Sequence, residues 1–217
     1  SPNNPVFLGH ASGHAAMVNA KAMEIAGIDA ETEVDGDGEV IKDEKLQPTG
    51  VLNEVAQYLV EKHIPEPTPT QKTRALNLAL ASLAENGITS FQDAGTSREE
   101  LATIQQFADR DKLTSRVWIM LRNDPELLLD WYRKGPMVSD YLTVRAIKLV
   151  ADGALGSRGA WLIEAYSDRP GHVGLPTTPV DEMKRISRDA LANNFQIGIH
   201  AIGDRGNREV LNIFDEI

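Results

Sequence analysis

From residue 70 onward the chain switches repeatedly between two hydrophobic periods. Ala75, Leu76, Leu78, Ala79 and Leu83 recur at the spacing of one helical face, which predicts a helix over 70–86 closed by Gly87. Ile88-Thr89-Ser90-Phe91 reads as a short strand. Ser97 with Glu100 three residues on forms a capping box and opens a helix over 97–112. A strand over 116–121, a helix over 125–134 stopped by Gly135-Pro136, and a strand over 144–150 follow. After a glycine-rich stretch come a helix over 179–194, a strand over 196–200 and a helix over 207–217. Four alternations of strand and helix predict parallel strands joined by helical crossovers, in a barrel or an open sheet.

The first 69 residues are less regular. Val6-Phe7-Leu8 reads as a strand, 15–26 as a helix ended by Gly27, and 51–63 as a second helix. Asp35-Gly36-Asp37-Gly38 is a turn between extended segments, and it lacks the glutamate and alternating oxygen ligands of a calcium loop. Pro65-Glu66-Pro67-Thr68-Pro69 is a stiff linker. The expected division is a mixed α+β segment over 1–69 and an α/β domain over 70–217.

Composition removes several classes of function. Of 217 residues 41% are hydrophobic and 25% charged, which suits a globular chain rather than a disordered acidic tail. The net charge of −10 disfavours nucleic acid, whose phosphates it would repel. There is no cysteine, so thiolate zinc sites and cysteine nucleophiles are excluded. No apolar run approaches the roughly 20 residues of a membrane span. No Gly-x-Gly-x-x-Gly or P-loop opens a helix, which argues against a nucleotide-binding sheet. The chain begins without Met and carries no signal-peptide pattern. The expectation is a piece of a longer, cytoplasmic protein.

In parallel α/β folds chemistry gathers at the carboxyl ends of strands. The four strands deliver Asp93; Arg122 with Asp124; Lys148 with Asp152; and His200 with Asp204. Lys148 interrupts the apolar run Ala146-Ile147-Lys148-Leu149-Val150, where an unpaired charge is costly. It is either ion-paired with Asp152 or Asp93, or a lysine whose charge burial suppresses. A neutral lysine can form a Schiff base or take up carbon dioxide as a carbamate. His200 is a scaffold histidine or, given Lys148 on the preceding strand, a metal ligand. Gly13 breaks any helix between His10 and His14, so they are not expected to share a metal; His14 suits the mouth of a substrate pocket. His63 and His172 read as exposed. The glycine-rich loop from Asp152 to Ala160 is a flexible connection or a mobile wall with Arg158 facing an anionic group.

These residues resemble the amidohydrolase superfamily, in the branch that contains N-substituted formamide deformylases. The resemblance rests on Ser12-Gly13-His14-Ala15-Ala16-Met17-Val18-Asn19, on Gly87-Ile88-Thr89-Ser90-Phe91-Gln92-Asp93-Ala94-Gly95, on 147–158, and on Ile199-His200-Ala201-Ile202-Gly203-Asp204-Arg205. It implies part of a metal-binding (β/α)8 TIM barrel, about strands two to five, with 1–69 as an insert between strands one and two. It also implies that Lys148, often carbamylated in that family, and His200 ligate one or two divalent ions, zinc being expected. The family's His-x-His pair on strand one and its later histidine and aspartate have no counterpart here. Resemblance further implies hydrolysis of a non-peptide C–N bond in a small amide or formamide by a metal-activated water. His14, Asp152, Arg158 and Asp204 would line the substrate pocket. The isolated piece is expected to be inactive and to self-associate through exposed strand edges. The rival expectations are a Schiff-base lyase using Lys148 and a non-catalytic binding module on the same scaffold.

Overall fold

The computed structural model describes residues 1–36 and 38–217. They form two compact units. One comprises Ser1–Pro65, Val150–Val180 and Ala201–Glu216; the other comprises Glu66–Leu149, Asp181–His200 and Ile217. Two later segments are thus grouped with the first 65 residues.

In the first unit the strands Phe7–Gly9 (β1), Ala15–Val18 (β2), Gly38–Lys42 (β3) and Pro48–Glu54 (β4) form an antiparallel sheet in the order β1-β2-β4-β3. Helix Ala20–Ala26 (α1) starts at Asn19, whose side chain accepts the Ala22 N–H, and ends at Gly27, which takes the left-handed conformation (φ 68°). Two sequence expectations are corrected here. Residues 15–18, expected as the start of a helix, are a strand, with Ala16 opposite Leu52. Residues 51–54, also expected to be helical, end β4, and only Val55–Gln57 and Tyr58–Glu61 (α2) coil. The physical reason is burial on alternate positions: Val18 and Leu52 lie under 5% exposed in one core with Ala22, Val40, Ala56 and Val60, and Ala16, two residues before Val18, is buried as well. The turn expected at 35–38 includes Asp37, which lies outside the described residues.

The second unit holds helices Pro69–Glu85 (α3), Arg98–Ala108 (α4) and Pro125–Lys134 (α5), and helix Val180–Ala192 (α6). Its strands are Ser90–Thr96 (β5), Arg116–Arg122 (β6), Met137–Val138 (β7), Leu142–Val150 (β8) and Gln196–His200 (β9). Strands β5, β6 and β8 are parallel, β7 adds antiparallel to β8, and β9 also pairs with β8. The α/β class and the parallel pairing match the alternation read from the sequence. The two-residue β7 was not foreseen. Val117, Ile119 and Leu121 of β6 are buried on one face with Leu142, Val144 and Ile147 of β8. Helix residues Leu101, Ile104, Phe107, Leu127, Trp131, Met183 and Ile186 are buried as well. Each such side chain stabilises the unit by roughly 1.5–3 kcal/mol of transfer free energy before chain entropy is charged. The last helix, Asp204–Glu216 (α7), belongs to the first unit. Among the described residues no helix is long and apolar enough to cross a membrane.

Candidate functional site

Register brings the polar strand ends together. Arg122 lies opposite Lys148, and Met120 opposite Ala146, in the parallel β6–β8 pair. Strand alternation puts Met120, Arg122, Ala146 and Lys148 on one face, away from the helix-facing Leu121 and Ile147. A Cβ at Gly198 would lie 3.0 Å from Met120 Sδ, so Gly198 of β9 is on that face too. His200, two residues on, repeats its side. Lys148 and His200 therefore share a face of adjacent strands.

The two strands also leave the sheet at the same end. Asp152, two residues past β8, accepts the N–H of Ile202 (2.9 Å) and of Gly203 (2.7 Å), which follow β9. It also accepts the N–H of Trp161 at 2.8 Å. Three backbone donors fix a fully buried carboxylate. Asp152 thus acts on the backbone, holding two turns together, rather than standing exposed on a pocket wall. A Cβ at Gly206 would meet Asp152 Oδ2 at 2.7 Å, so α7 approaches this carboxylate closely.

Lys148 is half-buried, and desolvation alone pulls its amine below the usual lysine range. No charged neighbour contributes to that shift. Asp93, weighed as an ion-pair partner, instead accepts the Thr96 hydroxyl at 2.8 Å. Gly95 sits against the lysine: a Cβ there would lie 3.8 Å from Lys148 Cγ, and the Gly95 carbonyl accepts Arg122 Nε at 3.0 Å.

The remaining expected site residues lie in the first unit. His14 Nδ1 is 2.9 Å from Glu54 Oε2, and both side chains are largely buried. Arg158 pairs with Asp168 at 2.7 Å, a hydrogen bond that holds the Asp168 carboxyl below its usual range. Asp204 Oδ1 accepts the N–H of Ile163 at 2.9 Å and of Arg205 at 2.8 Å, at the start of α7. His172, expected to be exposed, is half-buried with Nε2 2.8 Å from the Arg158 carbonyl.

The structure adds a residue that sequence reasoning passed over. Glu54 holds φ 49° and ψ −128°, a combination that L-residues avoid. It lines a pocket of about 310 Å³ with Glu39, Asn53, Ser157, Arg158, Arg169 and His172, among others. Read as part of a helix, Glu54 offered no signal; a positive φ at a non-glycine residue is invisible in composition or period.

With respect to metal, Lys148 and His200 lie on one face of the sheet. Among the described residues no group of three or more His, Asp or Glu could hold an ion. A catalytic zinc ordinarily takes three protein ligands. Lys148 and His200 therefore fit as part of a ligand set and not as a whole one.

Comparison with known proteins gives the family of the chain. The Amidohydrolase family profile matches residues 1–217, and the chain belongs to that family. It is 28% identical over 229 residues to Protein LONG AFTER FAR-RED 3 of Arabidopsis thaliana, covering 100% of this chain and 39% of that one. It is 43% identical over 60 residues to the N-substituted formamide deformylase of Arthrobacter pascens, covering 28% of this chain and 11% of that one. Among solved structures, an uncharacterized metal-dependent hydrolase of Pyrococcus horikoshii OT3 superimposes with a TM-score of 0.75. It is 27% identical, over 99% of this chain and 42% of that one. The chain thus spans about two fifths of the length of the full-length relatives it matches.

Proposed function

We propose that this chain is about half of a (β/α)8 barrel in a metal-dependent hydrolase that cleaves a non-peptide C–N bond. The observation that carries the reading is the placement of Lys148 and His200 on one face at the ends of β8 and β9, in a chain of the Amidohydrolase family. In this reading 1–69 is an insert ahead of the barrel strands, and the rest of the ligand set comes from outside these 217 residues.

Lys148, as its carbamate, and His200 would hold a divalent ion, zinc by donor chemistry. A bound ion of this kind polarises a carbonyl and acidifies water. The chain's own contribution is geometric. Burial favours the neutral amine that carbamate formation requires. Asp152 fixes the turn after His200 to the turn after Lys148. His14, Arg158 and Asp204 serve the pocket for a small amide- or formamide-type substrate. A relative named as a formamide deformylase supports that substrate class. With an incomplete ligand set the 217-residue piece is inactive, and β5, paired only with β6 among the described strands, is an edge through which it self-associates.

The test is elemental analysis of the full-length protein followed by a screen of N-substituted amides and formamides. Bound zinc or another divalent ion, and turnover lost on chelation, are expected. A metal-free protein that turns over the substrate refutes the reading. A second reading, a Schiff-base lyase, draws on the same lowered Lys148 amine. Borohydride trapping of a carbonyl substrate on Lys148 would establish it in place of the hydrolase.

A further inference from the structure

We propose that the Glu54 pocket in the first unit is a recognition site for the ammonium group of a small organic cation. The proposal deepens the substrate-pocket part of the reading above, through His14 and Arg158, and needs none of its metal chemistry.

Charge bookkeeping around the pocket singles out Glu54. Arg158 is matched by Asp168 at 2.7 Å and Arg169 by Glu39 at 3.1 Å. Among the described residues no lysine or arginine pairs with Glu54. Its side chain is 12% exposed, and it meets Ser157 Oγ at 2.6 Å and His14 Nδ1 at 2.9 Å. A largely buried carboxylate held by these two contacts thus stands beside an open cavity. Two such hydrogen bonds leave oxygen lone pairs unused, since an ionised carboxylate has about four acceptor sites.

The backbone is bent to present this group. Successive residues of a strand point to opposite faces, yet Asn53 and Glu54 both line the cavity. The positive φ at Glu54 breaks the regular strand geometry at the end of β4. The glycine-rich loop then closes around the carboxylate. A Cβ at Gly153 would lie 2.6 Å from Glu54 Oε1, and one at Gly159 would clash with the same atom. Arg158, between those glycines in the loop, also has a positive φ of 63°. Strain at two pocket residues persists because the surroundings over-determine it, a pattern that gathers at ligand sites. Asn53, half-buried, also lines the cavity, and an Asn amide has a carbonyl oxygen able to accept from an N–H donor. A cavity of about 310 Å³ admits a ligand of a few carbon atoms beyond its ammonium.

Calorimetric titration of the full-length protein with n-butylammonium chloride, n-butanol and sodium butyrate tests this, before and after chelator treatment. The cation is expected to bind about tenfold more tightly than either probe of similar size, the yield of one charge-assisted hydrogen bond. The preference should be the same with and without metal. Glu54→Gln should erase it, and a crystal soaked in n-butylammonium should show the nitrogen within hydrogen-bond distance of the Glu54 carboxylate if that variant does not fold. Equal binding of the three probes, a preference for butyrate, binding lost with the chelated metal, or a folded Glu54→Gln protein with unchanged selectivity would each overturn the proposal. Absence of metal or of amide turnover would sink the hydrolase reading and leave this titration unaffected.

Discussion

Asp152 Oδ2 accepts the backbone N–H of Gly203 at 2.7 Å, across 51 positions of sequence. With the bonds to Trp161 and Ile202, this one carboxylate satisfies three backbone donors. Asp152→Ala leaves them unmatched, at about 1–3 kcal/mol for each buried donor. We expect a loss of about 3 kcal/mol or more in urea unfolding of the full-length protein, and a smaller loss for Asp152→Asn, which keeps one acceptor oxygen. A loss below about 1 kcal/mol for the alanine variant would contradict the clamp.

Two glycines of the first unit should respond oppositely to alanine. A Cβ at Gly203 runs into the Trp161 backbone carbonyl, which cannot move aside as a flexible side chain can, whereas a Cβ at Gly156 meets nothing within 4 Å. Gly203→Ala should therefore lower stability by about 1–3 kcal/mol, the usual cost of overpacking. Gly156→Ala should leave it nearly unchanged. Thermal unfolding of the two variants side by side gives the answer.

Alkaline pH should expose Tyr132. Burial pushes its phenol up to about 12, and its hydroxyl makes no hydrogen bond among the described residues. Between about pH 10, where the unfolded phenol ionises, and about 12, the folded state holds the proton that the unfolded state has released. Stability contributed by this group is thus present below pH 10 and lost as pH rises through that window. Tyr132→Phe keeps the edge-on contact with Phe195 (ring centroids 5.9 Å apart) and should remove this part of the slope without lowering stability at pH 7. Ultraviolet titration of the phenolate alongside unfolding would check both.

Lys148→Ala and His200→Ala should each reduce the divalent metal content of the full-length protein and bring amide turnover to background. His14→Ala should leave metal content intact, because His14 is engaged with Glu54 in the other unit. Elemental analysis of purified variants distinguishes the two patterns; equal metal in all three would exclude Lys148 and His200 as ligands.

Elements whose ends are signalled locally were legible without coordinates. Helix α5 runs over Pro125–Lys134 as expected, because Asp124 caps it, Pro125 fits its first turn and Gly135 stops it. Strand β9 also falls where its pattern places it. Residues 15–18 and 51–54 were misread because a short apolar run carries too little period to separate strand from helix. Their state is decided by partners: Ala16 pairs with Leu52 across 36 positions, and neither segment contains that fact. The backbone role of Asp152 is equally invisible in a local window, since its three donors come from residues 9, 50 and 51 positions away.

Sequence by itself determined the α/β class, the family and the identity of Lys148 and His200 as residues worth following, because helix periods, strand runs and short blocks of residues are local properties. Tertiary structure decided that these two share a sheet face, that Asp152 is spent on backbone donors, and that Glu54 is bent into a cavity. Each of those depends on register and on a backbone angle imposed by distant neighbours, and such long-range terms are absent from any window of the chain.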